Sequence, residues 1–256
     1  MPTNPDSTSQ VAEWLEEHRK HTDIKGSGLP FITISRQAGA GGHLLSYVLL
    51  TDFIKFKDEP LFNGWHVFDK NLCELVARNP QLEKSMGDLV AETYKSDFKD
   101  FMDNIFSGQP TQYIAIKQTF KMVRLLAMAG KAIIVGRAGC CATKDLKGGI
   151  HIRLVAPLEK RIIWMMKRFN LTKEKARKTI EKQDADRAKL LNNFFRREID
   201  DPLTYDIVWN TGSMELPEIS HAIIEIIRNR AQASKLTAKN TASLTPPPRT
   251  SIWNTP

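Results

Sequence analysis

Between residues 31 and 50 the chain reads FITISRQAGAGGHLLSYVLL: a β-branched run, a glycine cluster, then an apolar helical period. Gly39, Gly41 and Gly42 tolerate positive φ, so successive backbone N–H groups can turn into one concavity, and the following helix adds its positive N-terminal end. Such a nest binds anions, phosphate above all. Set against the G-x-x-x-x-G-K-[ST] phosphate loop, residues 36–43 supply Arg36 for the first glycine, Gly41 for the second, Gly42 for the lysine and His43 for the hydroxyl residue. Three of the four signature positions differ, and a glycine-rich turn that only permits close strand–helix packing is the alternative. Arg36 favours the chemical reading, because it puts a permanent cation in the loop that can replace the lost lysine charge. Ser35, Gly39, Ala40, Gly41, Gly42 and His43 are then the candidates for holding the phosphates of a nucleotide.

Other charged residues fall where strands end. The apolar run Ala132–Val135 closes in Gly136 and delivers Arg137, a guanidinium suited to gripping a phosphate in two parallel hydrogen bonds. Capping of nearby carbonyls is its bland alternative. Asp69 follows a hydrophobic pair and opens a helix; as an N-cap it stabilises by about 1 kcal/mol and needs no further role. Farther on, Pro157 suits a helix start, and Arg161 and Arg168, seven apart, share one face. Cys73, Cys140 and Cys141 form neither a disulfide framework nor a C-x-x-C metal spacing, and read as small buried fillers that are reduced.

These residues need a scaffold that brings strand ends together. Short strands are expected at 31–35, 65–68, 132–136, 150–156 and 205–210. Helical periods fill 42–55, 69–79, 82–106, 111–129, 157–169, 172–195 and 215–230. Strands alternating with helices imply a mostly parallel sheet covered on both faces, with ligands beyond the carboxyl ends of its strands. Residues 1–30 read as an appendage, a short amphipathic helix with Val11, Trp14, Leu15 and His18 on one face and then a glycine-bearing linker. Residues 82–129 add a helical insertion with Leu82, Met86, Leu89, Val90, Tyr94, Phe101 and Ile105 as its apolar stripe. Residues 231–256 are polar, proline-bearing and aperiodic, and are expected to be disordered.

With 256 residues, 41% of them hydrophobic, the chain can build a substantial core. No membrane span or secretory signal is readable, so a cytoplasmic protein is expected. The net charge of +8, from 37 Lys and Arg against 29 Asp and Glu, suits an anionic partner. Neither a stacking strip nor a nucleic-acid-binding motif is visible, so small phosphorylated ligands are preferred to nucleic acid. Oligomeric state is left open.

The segments ITISRQAGAGGHLLSYVL, VFDKNLCELVA, AIIVGRAG, HIRLVAPLEKRI, DADRAKLLNNFF and DPLTYDIVWNTGSMEL, in that order, resemble the cytidylate-kinase-like family over about residues 31–228. The resemblance implies an α/β, three-layer P-loop kinase fold with a parallel core sheet, the helical insertion and an arginine-bearing lid within about 157–197, the whole domain spanning about 31–230. It implies ATP on the glycine loop with Mg²⁺ at its phosphates, and a nucleoside monophosphate, CMP among the candidates, as acceptor. Arg36, Arg137 and Arg187 become the catalytic candidates, while Asp69, Arg137 and Asp184 become the substrate-binding ones. Asp184 and Arg187 match the family's D-x-x-R, with Arg168, Arg196 and Arg197 as further lid cations or a solvated helix face. His43 stands where the family often has arginine, Gln37 where it often has glutamate, and Ala138 where cytidylate kinases have aspartate. The absent lysine and hydroxyl residue leave a second reading: a degenerate P-loop protein that binds nucleotide without turnover.

Overall fold

A computed structural model describes residues 29–79 and 113–241, together with Val11, Trp14, Gln81, Lys84, residues 101–103 and Ile105. From Phe31 the elements are β1 (Phe31–Arg36), α1 (Gly42–Lys55), β2 (His66–Phe68), α2 (Lys70–Ala77), α3 (Ile114–Ala129) and β3 (Ala132–Val135). They continue as α4 (Gly139–Ala142), β4 (Gly149–Val155), α5 (Leu158–Phe169), α6 (Lys173–Phe195), β5 (Ile207–Asn210) and α7 (Leu216–Thr241). All five expected strands form, within two residues of the expected bounds. They make one parallel sheet in the order β2-β3-β1-β4-β5, flanked by helices.

Burial explains why these runs are strands. In β3 every residue is buried, and Phe31, Ile32, Ile34, Ile150, Ile152 and Leu154 of β1 and β4 are wholly inaccessible. A parallel sheet covered on both faces demands such near-continuous apolar runs. From β1 the chain first builds outward to β2 and returns through β3, then crosses to β4 on the other side of β1. The strand order therefore reverses between β1 and β3, and a crevice opens at their carboxyl ends, where Arg36 and Arg137 stand.

Chain contacts divide the molecule into Met1–Ser220 and His221–Pro256. In the first unit, Trp14 is buried, stacks its edge on Phe68 with ring centroids 5.1 Å apart, and donates its Nε1–H to the Gly64 carbonyl at 3.1 Å. Val11 joins the same cluster; Leu15 and His18 lie outside the described residues. So do Leu82, Met86, Leu89, Val90 and Tyr94 of the expected insertion. Phe101 packs on the core under the buried Arg124 guanidinium, 3.9 Å from its ring centre. In the second unit α7 continues to Thr241, past the 230 expected from its apolar period, with Arg228 paired to Glu225 at 2.7 Å. Among the described residues no helix is long and apolar enough to cross a membrane.

Candidate functional site

The loop from Arg36 to Gly41 joins the central strand to α1, as its glycines require. Gly39 (φ 82°) and Gly41 (φ 85°) adopt the left-handed conformation, and Gly41 N-caps α1 without a side-chain hydrogen bond or an acid in the first turn. The positive helix end therefore has neither a capping side chain nor an acid of its own first turn beside it. At the second strand end, Gly136, Arg137 and Ala138 are all left-handed, with φ of 84°, 54° and 51°. For the two non-glycines this costs on the order of 1 kcal/mol each, and the turn aims Arg137 back across the sheet edge.

A cavity of about 380 Å³ lies at this edge. Of the residues singled out from the sequence, Ser35, Arg36, His43, Asp69, Arg137 and Arg187 line it. Arg36 and Arg137 thus share one cleft, and α6 brings Arg187 to join them. Gly39, Ala40, Gly41, Gly42 and Asp184 are not in its lining. Ala40 is buried, and Gly39 packs against Arg161, with an added Cβ there falling 2.9 Å from the Arg161 carbonyl oxygen. Asp184 is engaged by the protein: Oδ1 accepts from the Ala38 N–H at 2.7 Å and from Arg187 Nη1 at 3.0 Å, while Oδ2 accepts from Arg161 Nη1 at 2.8 Å.

The three cavity arginines are compensated unequally. Arg137 pairs with Glu74 at 3.1 Å, though its Nε is buried with no partner, and Arg187 pairs with Asp184. Arg36 makes no ion pair among the described residues; its Nη2 lies 3.5 Å from His43 Nε2. Burial, then the neighbouring Arg187 and Arg137 charges, pull its pKa down to about 9 against a weaker opposing pull from Asp69 and Asp184. The guanidinium still carries its charge at neutral pH. Burial also lowers Arg187, with Asp184 opposing and Arg153 and Arg137 reinforcing the shift. An anion entering the cavity would relieve all of this repulsion at once.

Asp69 performs the capping expected of it, accepting the Leu72 N–H at 2.9 Å, and also faces the cavity. The Ser35 hydroxyl accepts from Arg153 Nη1 at 3.1 Å and donates to the Tyr205 hydroxyl at 3.3 Å. Arg153, inside β4 and paired to Asp200 at 2.6 Å, had no motif to mark it. The signal was a charge in a largely apolar strand, in parallel register with Ser35. Thr33, Lys70, Asn71, Cys140, Gln183 and Asp186 add further polar lining. Arg168 is exposed on α5, and Arg196 and Arg197 are exposed at the end of α6; none of the three lines the cavity. Two of the thiols match buried fillers: Cys73 is pushed up to about 12, chiefly by burial, and Cys140 is buried with its Sγ 3.8 Å from that of Cys141.

Among the described residues no cluster of three side chains could hold a metal ion by itself. The carboxylates of the described lining, Asp69 and Asp186, suit Mg²⁺, which binds one or two carboxylates and takes the rest of its shell from phosphate oxygens and water.

His43 supplies a pH dependence. Its pKa is lowered, mainly by burial and next by Arg36, and that of His66 is lowered by burial. Below the unfolded value of about 6.5 the unfolded chain takes up protons that the folded chain refuses, so stability falls as pH drops through that region. Urea midpoints should be lower at pH 5.5 than at pH 7.5, and His43→Gln should flatten part of that slope. An equal slope in the variant would remove His43 from the account.

Residues 31–213 match the cytidylate kinase-like family. A crystal structure of an uncharacterized protein from Eubacterium ventriosum is similar in fold, with TM-score 0.60 and 20% identity over 78% of this chain and 99% of that one. A Thermus thermophilus structure, TT1252, aligns at TM-score 0.38 and 14% identity over 78% of this chain and 97% of the other. A uronate isomerase of Corynebacterium glutamicum is 27% identical over 99 residues, which are 39% of this chain and 19% of that protein. The chain thus spans 19% of that relative's length.

Proposed function

The chain belongs to the cytidylate kinase-like family, and from that membership we propose that it transfers the γ-phosphoryl group of ATP to a nucleoside monophosphate, CMP being one candidate. The observation that carries the proposal is the convergence of Arg36, Arg137 and Arg187 from three separate elements on one cavity at the strand-order reversal. Cations with no carboxylate, or with a displaceable one, are what transfer between two anions requires.

In this reading the donor phosphates lie toward the uncapped N-terminus of α1, with Arg36 reaching them from the end of β1. The acceptor phosphate lies by Arg137, whose ion pair with Glu74 is partly exposed and open to exchange. Arg187 reaches in from α6 to neutralise charge that builds between donor and acceptor. Mg²⁺, when bound, supplies charge neutralisation at the donor phosphates, with Asp69 and Asp186 as the residues that would hold it. No general base is needed, because a monophosphate acceptor is already an anion and positioning with electrostatics carries most of this chemistry. The reading includes a cytoplasmic location, nucleotides as partners and no nucleic acid or membrane.

A second reading, nucleotide binding without turnover, is favoured by Gly42 and His43 at the lysine and hydroxyl positions and by Ala138 after Arg137. A coupled assay of ADP release across the common nucleoside monophosphates separates the two. Turnover with at least one acceptor supports the kinase; ATP binding with no acceptor-dependent ADP supports the binder.

A further inference from the structure

Gly42 is the first residue of α1, is buried, and does not need glycine for its backbone, since its φ is not in the left-handed range. Glycine in a helix interior costs about 0.5–1 kcal/mol relative to alanine, and even at the first residue alanine would be accommodated unless a neighbour opposed its side chain. The opposing group is Arg36. A Cβ on Gly42 would lie 2.9 Å from Arg36 Cγ, 3.1 Å from its Cδ and 3.3 Å from its Cβ, and these are the three nearest atoms. On the far side a Cβ on Gly136 would run into Arg36 Nη1. The arginine stem lies on one glycine and its guanidinium on the other.

We propose that Gly42 and Gly136 are positioning residues that hold open a slot for Arg36, and that this slot moves the loop's phosphate-binding cation from α1 to the end of β1. The proposal rests on reading the cavity as a phosphate site. Gly42 stands at the position that carries lysine in the ordinary loop pattern. A lysine stem there would start inside the space that Arg36 already fills, so the two cations exclude each other and the loss of lysine is the steric counterpart of the gain of arginine. Gly136, with φ 84°, is held to glycine by its backbone as well. Gly42 is therefore the cleaner position to test.

The test is a cycle of Gly42→Ala, Arg36→Ala and the double variant, read by thermal melting and by binding of ATP and of inorganic triphosphate. With Arg36 present, Gly42→Ala should leave Tm unchanged or lower it and should weaken triphosphate binding about tenfold. With Arg36 removed, the same substitution should raise Tm by about 2 °C through helix propensity and leave the residual binding unaltered. Identical shifts in both backgrounds would overturn the slot. The swap Arg36→Gly with Gly42→Lys covers the case in which Gly42→Ala folds poorly: it should bind triphosphate more tightly than Arg36→Gly alone, and failure to do so counts against relocation of the cation. A Tm cycle that behaves as expected in a wild-type protein that binds neither ATP nor triphosphate would overturn the phosphate half of the proposal, and with it the functional reading.

Discussion

Arg36→Ala should lower kcat/KM about a hundredfold while leaving the protein at least as stable as wild type. On the proposed kinase reading, the activity loss follows from removing a charge that would meet the donor phosphates chiefly as they redistribute charge in the transition state, a contact worth roughly 3 kcal/mol. The stability half follows from the depressed pKa. Because burial and the Arg187 and Arg137 charges hold the folded value near 9, below its ordinary value, the charged guanidinium is disfavoured in the folded state. That cost is fully present below about pH 9 and fades as pH rises beyond it toward the ordinary arginine range, so at neutral pH alanine relieves it. Arg36→Lys should recover part of the rate, since it restores charge without the planar fork. Steady-state kinetics beside urea denaturation check both halves. Equal transfer by the alanine variant would shift the duty to His43 or Arg187, and a large loss of stability would make Arg36 a structural cation.

Residues at strand ends are legible in the sequence because two independent patterns agree there. A parallel strand covered on both faces announces itself as a short apolar run, and the first charge after it stands at the sheet edge by construction. The amino-acid order alone therefore puts Arg36 and Arg137 at one edge of the sheet, where the cavity joins them. Asp69 is legible for the same reason, as the polar residue that ends β2 and caps α2. The strand order, and with it the switch point between β1 and β3, has no such local signal: right-handed connections restrict the orders but do not choose among them.

Burial within a charged helix is not legible in the same way. Arg161 and Arg168 share a face by spacing, yet Arg161 is 8% exposed and bonded to three groups, while Arg168 stays in solvent. What separates them is the loop that α5 meets: Gly39 lets the Arg161 backbone approach, a tertiary contact with no local sequence signal. The segment expected as a lid is also less bare than its charge suggests, since Ile162, Met165, Ala176 and Ile180 close on Ala38 as a small core. Propensity without periodicity explains the overrun of α7, where Ala, Gln and Lys continue a helix after the apolar stripe has ended.

The same tertiary contact engages Asp184, a substrate ligand by family resemblance, with groups of the protein itself. Its carboxylate joins three things: the Ala38 amide of the loop, the Arg161 of α5 and the Arg187 that enters the cavity. Removing it would strand Arg161, whose side chain is 9% exposed, beside two carbonyl partners but no anion. Breaking a fully buried pair by deleting one partner costs about 3–5 kcal/mol, and because Asp184 is itself 29% exposed solvent screening reduces this to roughly 2–3 kcal/mol. Asp184→Ala is therefore expected to lose that much in urea denaturation, together with turnover, because Arg187 loses the bond that orients it. Asp184→Asn keeps an oxygen for the Ala38 N–H but can no longer serve both arginines, so it should fall between. A residue that only bound the acceptor would behave otherwise: alanine would raise KM for the monophosphate and leave the urea midpoint where it was. Finding that pattern would return Asp184 to the substrate and leave the attachment of α6 to the loop resting on Arg161 and the small core around Ala38.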